Sequence, residues 1–356
     1  MRSVILKNKR NIPGLAWCIL RWHLNHLVRK KPLPLACGVY ITSRCNFRCS
    51  FCNIWRKDDP KVLPYPKAKA LVDSLSALGS FYFSISGGEP LLVDYIFDLL
   101  SYARKSRIKY LHLVTNGYLL DEKCAIKLRG TGINEVSVSI DAEASVHDKN
   151  RGVPGAYARA VKAVENLKKN APGINIVLNA ILRPQSPTEC FHVLDLAREL
   201  DVYVKVQPLN QHPAFNPDNS GSPPAGGISP GRLREAVDKL CSDERVVNSR
   251  AFLKNMYNFF CDRERLIFKD SRCLFGYHHI EILEDGSVFP CLEGLGWKGG
   301  LEFGGDLKSS IDSDTYANLV KKLETCKGCQ RNYYICYYEP RISFPVGNFL
   351  RSGLGL

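Results

Sequence analysis

No stretch of this sequence reads as a membrane span or a secretory signal. The longest early apolar run, Ile12 to Leu20, is interrupted by Pro13 and Gly14, is stopped by Arg21 and lacks a small-residue cleavage site. Acidic residues are missing from positions 1–31, which hold eight basic ones (Arg2, Lys7, Lys9, Arg10, Arg21, Arg29, Lys30 and Lys31). That arm carries more than half of a net charge of +14, so the remainder is only mildly basic. Aromatic and basic residues do not recur together along the chain, and nucleic acid is not an expected partner. No internal repeat occurs at a fixed period. These absences point to a cytosolic, reducing compartment. There, 14 cysteines read as metal ligands or catalytic groups rather than as a disulfide framework.

What is present is an alternation. At 356 residues the chain suits two domains, or one barrel-sized domain with an appendage. Strand-like runs cover Gly38–Thr42, Phe81–Ser86, Tyr110–Thr115, Glu135–Ile140, Ile174–Leu182 and Val202–Gln207. Several are almost continuously apolar, as strands buried on both faces of a parallel sheet tend to be. Helical spacing fills the gaps at Pro66–Leu78, Tyr95–Lys105, Asp121–Arg129, Ala156–Lys169 and Thr188–Leu200. Short βα units predict a parallel α/β sheet, open or curled into a partial barrel, with functional residues at the strands' carboxyl ends.

After Gln207 the alternation breaks. Pro208–Pro230 is a long Pro-, Gly- and Asn-rich loop, followed by a helix from Arg232 to about Leu240 and a less regular stretch to Asp270. "HHIEILEDGSVFPC" reads as a hairpin with Asp285-Gly286 at its turn.

Cys45, Cys49 and Cys52 lie just after the first strand. Three thiolates suit a four-iron cluster that leaves one iron without a protein ligand. An incomplete zinc site with a distant fourth ligand, or three core cysteines, are the plainer alternatives. The second strand ends in "SISGGEP", where Gly87 and Gly88 allow close backbone approach and Glu89 offers a carboxylate to an ammonium group.

With these two motifs in order, residues 36 to 210 resemble the radical S-adenosylmethionine (SAM) enzymes. The cysteines match the family's CxxxCxxC motif, with Phe51 as its aromatic residue, and Gly87–Pro90 match the segment that meets the methionine amino group. The resemblance implies a partial (β/α)6 barrel and a [4Fe–4S] cluster chelated by SAM. It also implies an external electron donor such as flavodoxin or ferredoxin, and a 5′-deoxyadenosyl radical that abstracts a substrate hydrogen. It places Ser139, Asp141 and Arg151 as SAM contacts, the last through a guanidinium fork on a carboxylate. The plainer reading of Asp141 and Arg151 is a surface ion pair or a helix-entry polar group. Asn116-Gly117 is a turn or a ligand contact, while Asn179 and Gln207 are polar positions that could face the cavity.

A second set comprises Cys273, Cys291, Cys326, Cys329 and Cys336. Taken alone, paired cysteines on short loops suit zinc as well as iron–sulfur chemistry. Beside the first motif, the spacing from Cys273 through Gly286 to Cys291 resembles the C-terminal twitch or SPASM extension of radical SAM enzymes, which carries auxiliary clusters. The full SPASM pattern is not met, because no cysteine stands near Pro340. The resemblance therefore implies one auxiliary [4Fe–4S] cluster on Cys273, Cys291, Cys326 and Cys329, with Cys336 a spare, an alternative ligand or a catalytic thiol.

The expected organisation is a basic amphipathic arm (1–35), a radical SAM partial barrel (36–210), a loop and helical connection (211–270) and a small twitch/SPASM-like domain (271–356). Leu15–Lys31 has the composition of an interfacial helix, so peripheral contact with the inner membrane face is expected beside a cytoplasmic location. The plainer reading is a helix packed on the barrel. The first function class is oxidation or bond formation on a small-molecule or lipid-linked substrate, and the arm favours the lipid-linked one. A peptide maturase is the alternative, weakened because about 35 residues precede the first strand, few for a leader-recognition domain. A non-catalytic metal-binding protein is the third class.

Overall fold

A computed structural model describes residues 12–29, 31–210, 227–267, 272–295, 300–330, 332–336 and 338–339. Most of the expected Pro208–Pro230 loop, Pro340 and the basic residues Arg2, Lys7, Lys9, Arg10 and Lys30 lie outside them.

Six parallel strands form the frame: β1 (Ala36–Thr42), β2 (Tyr82–Gly87), β3 (Tyr110–Thr115), β4 (Glu135–Ser139), β5 (Asn175–Leu182) and β6 (Tyr203–Pro208). The sheet order is β6-β5-β4-β3-β2-β1-β7-β8-β9, an open sheet rather than a closed barrel. The last three strands are β7 (His279–Ile282), β8 (Ser287–Phe289) and β9 (Leu301–Glu302). β7 pairs parallel to β1, whereas β7–β8 and β8–β9 are antiparallel. The expected hairpin is thus present, and its first strand extends the main sheet.

Side-chain alternation explains the layering. Cys37, Val39 and Ile41 of β1 join Val136 and Val138 of β4 and Leu178 and Ala180 of β5 in one apolar core beneath the helices. Intervening positions, among them Tyr40, Ser137, Ser139 and Asn179, line the cavity inside the curled sheet. The outer helices are α2 (Tyr65–Leu78), α3 (Ile96–Lys105), α4 (Glu122–Thr131), α5 (Ala144–Arg151), α6 (Ala156–Asn170) and α7 (Glu189–Glu199). Asp121 caps α4 by accepting from Cys124 N at 2.8 Å, and Gly132 ends that helix in the left-handed region. Further along, α8 (Pro230–Ser242), α9 (Arg250–Cys261), α10 (Leu307–Asp312) and α11 (Asp314–Glu324) complete the helices used below. α5 falls where the sequence reading assigned no element, and α9 falls in the stretch read as less regular.

The N-terminal helix, α1 (Ile12–Arg29), packs its Leu15, Cys18, Ile19 and Trp22 on Leu35, Phe81 and Tyr110, at the amino ends of β1, β2 and β3. Trp22 Nε1 donates to Tyr277 O at 3.0 Å. Arg21 donates to the carbonyls of Leu78 and Gly79, where α2 ends and a cation meets the negative end of the helix. One face of the arm is therefore a barrel contact. Trp17, Leu20 and Leu24 remain 62%, 51% and 53% exposed on the other.

Candidate functional site

The cysteine loop is held from two sides. Gly88 N donates to Thr42 O at 2.6 Å and Glu89 N to Arg44 O at 2.8 Å, fastening the end of β2 to the loop. Across the loop, Arg48 N donates to Arg151 O at 3.1 Å and Ser50 N to Asn150 O at 2.9 Å, at the carboxyl end of α5. Gly87 has φ +134°, and a Cβ on either Gly87 or Gly88 would run into backbone atoms of Thr42 or Arg44. The two glycines thus serve the close packing of two loops. Cys45, Cys49 and Cys52 cluster there with Phe47, Phe51, Tyr118, Val153 and Ala156.

Glu89 is fully buried and turned inward. It accepts from Thr115 Oγ1 (2.8 Å), Asn116 N (2.7 Å) and Leu91 N (3.0 Å), and burial pushes its carboxyl up to about 7 against those three donors. Asn116 Nδ2 donates to Asn46 Oδ1 at 2.7 Å, and Pro90 opens a short 3-10 turn, Pro90–Leu92. Glu89 and Asn116 therefore bolt the ends of β2 and β3 to the cysteine loop.

Asp141 and Arg151 meet each other in a buried fork. Arg151 Nε donates to Oδ2 at 2.7 Å and Nη2 to Oδ1 at 2.8 Å. Ile181 N reaches Oδ1 at 3.2 Å, and the guanidinium lies 5.1 Å from the Phe51 ring centre. Burial opposes the charge on Arg151, but Asp141 and the adjacent Cys49 thiol more than offset it and hold its pKa above the usual arginine range. Asp141→Ala strands a buried cation and is expected to cost about 3–5 kcal/mol in urea denaturation; a loss under about 1 kcal/mol would mean a solvent-screened pair.

Below the loop lies a cavity of about 540 Å³. Phe51, Cys52, Gly87, Ser139 and Arg151 line its upper part, and Asn179 and Gln207 also face it. Three buried atoms near the loop (Asn53 Nδ2, His147 Nε2 and Asn150 Nδ2) have no protein hydrogen-bond partner. With three thiols of the softness iron prefers, these spare polar atoms and an adjacent cavity fit a cysteine-held cluster with a polar ligand beside it. Among the described residues, no group of three or more His, Cys, Asp or Glu is set to hold a single metal ion.

The second cysteine set is assembled by separate contacts. Cys273 N donates to Glu324 O at 3.1 Å, joining Cys273 to the end of α11, just before Cys326. Gly328 sits so close to Glu293 that a Cβ would overlap that side chain, and Asn332 Nδ2 donates to Glu293 Oε1 at 2.7 Å. The Cys326–Cys329 turn is thereby pressed onto the segment after Cys291. Burial first, then the nearby Cys329 and Cys273, push the Cys291 thiol well up. Cys336 lines the main cavity together with Cys52. Sequence reasoning missed His112, Glu135 and Lys205, which also line it; polar residues at every second position of β3, β4 and β6 were the available signal.

Residues 39–197 match the family model described as Radical SAM superfamily. Fe-coproporphyrin III synthase of Methanosarcina barkeri is 33% identical over 161 residues, 45% of this chain and 40% of that protein. Mycofactocin maturase MftC of Mycolicibacterium smegmatis is 29% identical over 178 residues, 49% of this chain and 45% of that one. The chain thus spans under half the length of these relatives. Streptococcus suis SuiB, solved with its precursor peptide SuiA, superposes with a TM-score of 0.66 over 88% of this chain and 74% of SuiB, at 18% identity, a likeness of fold. With the motif, the open parallel sheet and the family match in agreement, residues 39–197 form a radical SAM domain.

Proposed function

We propose that this chain reductively cleaves SAM and abstracts a hydrogen atom from a small-molecule or lipid-linked substrate, oxidising it or forming a bond on it. The observation that carries this reading is the clamped cysteine loop at the carboxyl ends of the strands, opening directly onto the large cavity. When bound, a [4Fe–4S] cluster and SAM supply a 5′-deoxyadenosyl radical. Cys45, Cys49 and Cys52 are assigned to that cluster, and Phe51 and Ser139 to the SAM-facing wall. Glu89, Asn116, Asp141 and Arg151 hold the strand ends in register. Cys273, Cys291, Cys326 and Cys329 are assigned to an auxiliary cluster, which would accept an electron during substrate oxidation. A flavodoxin or ferredoxin is the proposed donor for the first. The test is anaerobic reconstitution with SAM and a reductant, measuring 5′-deoxyadenosine. Its absence sinks the reading in favour of a non-catalytic metal protein.

A peptide substrate is the second reading, favoured by the name of the mycofactocin maturase and by the peptide-bound SuiB structure. The lipid-linked reading draws instead on α1. Trp17, Leu20 and Leu24 form an exposed apolar stripe on a segment whose sequence is wholly basic in its charges, the pattern of a helix lying on an anionic bilayer. Among the described residues, no helix is long and apolar enough to cross a membrane. The protein is expected to float with phosphatidylglycerol vesicles and not with phosphatidylcholine vesicles, and Trp17→Glu with Leu24→Glu should abolish flotation. Equal flotation of wild type and variant would exclude this surface.

A further inference from the structure

The cavity's inner wall carries a hydrogen-bonded array that none of the ligand assignments uses. His112, on β3, stands at its centre. Its Nδ1 lies 2.7 Å from Tyr82 Oη and 2.9 Å from Ser84 Oγ. Its Nε2 lies 2.8 Å from Ser137 Oγ and 3.3 Å from Glu135 Oε1. Lys205 Nζ reaches that same carboxylate oxygen at 3.0 Å, while Tyr110 Oη donates to Oε2 at 2.7 Å. Tyr82, Ser84, His112, Glu135, Ser137 and Lys205 all line the cavity.

The partners decide the proton positions. Burial pushes the Glu135 carboxyl up, but Lys205 and then His112 outweigh it and bring it down to about 2, so it is an ionised acceptor. A carboxylate beside Nε2 calls for a hydrogen on that nitrogen, which leaves the lone pair on Nδ1. One lone pair cannot accept from both Tyr82 and Ser84. One hydroxyl is always left to point elsewhere, and a substrate group reaches Nδ1 by displacing the other or by passing its proton through it. This is the geometry of a base oriented by a third group, with a hydroxyl already at its free nitrogen.

We propose that Tyr82, His112 and Glu135 form a proton-accepting site for a substrate group bearing an O–H or N–H bond, a hydroxyl or an amide, with Lys205 as fixed counter-charge. The proton of that bond passes to Nδ1, directly or through the Tyr82 hydroxyl. The bonding electron pair stays on the substrate, and the imidazolium that forms lies against Glu135. The assignment rests on the proposed reaction only in requiring a substrate in this cavity. Other groups around the array support it. Burial lowers His112 to about 4, Glu135 on β4 pulls it upward and Lys205 on β6 lowers it, so the ring is a neutral acceptor at pH 7. Burial first, then Glu135, with Cys336 and Glu281 of β7 adding, keep the Tyr82 phenol protonated.

Diethyl pyrocarbonate, which acylates neutral imidazole, is the probe. The reconstituted protein is labelled at pH 7.5 and 5.5, with peptide mass spectrometry following His112. Labelling from the cavity is expected at rates within about twofold of each other, whereas a reference peptide's histidine, titrating near 6.5, slows about tenfold. Tyr82→Phe, which removes one competing donor, should raise the rate. A His112 that labels only after unfolding, or whose rate falls in step with the peptide, overturns the proposal. Formation of 5′-deoxyadenosine by unlabelled enzyme is scored separately. Expected labelling without SAM cleavage retires the radical reading and leaves the acceptor site standing.

Discussion

Alanine at Cys45, Cys49 or Cys52 is expected to bring 5′-deoxyadenosine formation to background, a fall of at least about 100-fold, because the proposed cluster would lose one of its three protein ligands. Iron content separates this from simple misfolding. A chain carrying two four-iron clusters holds about eight iron atoms, and each of these variants should keep about four on the second cysteine set. Alanine at Cys273 or Cys291 should show the reverse, losing about four iron atoms while SAM cleavage persists at the first site. Zinc at the second set would appear as about four iron atoms and one zinc in the wild type, replacing the proposed electron acceptor with a structural ion. Undiminished 5′-deoxyadenosine from the Cys49 variant would end the proposed mechanism. That residue is buried beside Arg151.

The strands were legible because burial on two faces leaves a strong composition signal. Tyr110–Thr115 was read with its observed limits, and the others within two residues. α5, "ASVHDKNR", was missed because it has almost no apolar face; what buries His147, Asn150 and Arg151 is their fit against the cysteine loop and Asp141. α9 carries Phe252, Leu253, Met256, Phe259 and Phe260 at helical spacing, capped by Ser249, so its signal was present and unread. The pairing of β1 with β7 joins positions more than 200 residues apart, and no local pattern announces such a contact.

The candidate site's motifs were legible in the sequence, and its contacts were less so. The cysteine and Gly-Gly-Glu-Pro motifs marked where two strands end, but which groups face a ligand is a tertiary fact. Glu89 spends both oxygens on Thr115, Asn116 and Leu91. Asp141 and Arg151 bind each other in a fork neither residue reveals alone. The inner array is a different case. Ser84, His112, Glu135, Ser137 and Lys205 occupy alternate positions on four strands whose other faces are apolar, a period-two signal weakened by the short length of each strand.

Gly88→Ala is expected to abolish SAM cleavage without touching a cysteine. The new methyl group would overlap the carbonyl of Arg44, the residue before Cys45, and backbone of that kind cannot rotate aside as a side chain can. Relief requires the loop to lift, which breaks the bonds from Gly88 N to Thr42 O and from Glu89 N to Arg44 O. Overpacking of this sort costs about 1–3 kcal/mol, which a domain of this size survives. The functional loss is larger, since a shift of about 1 Å at a positioning element can cost about 100-fold in rate, and Cys45 moves with its neighbour. The variant should therefore fold with a lowered urea midpoint, bind about four iron atoms rather than eight, and give 5′-deoxyadenosine at background. Gly130→Ala is the control: it lies in α4 with nothing within 4 Å of the added carbon, so alanine there should be neutral or stabilising by up to about 1 kcal/mol and leave SAM cleavage intact. A Gly88→Ala protein with full iron content and undiminished 5′-deoxyadenosine would show that the two loops can part without cost, and that their contact does not hold the cysteines in place.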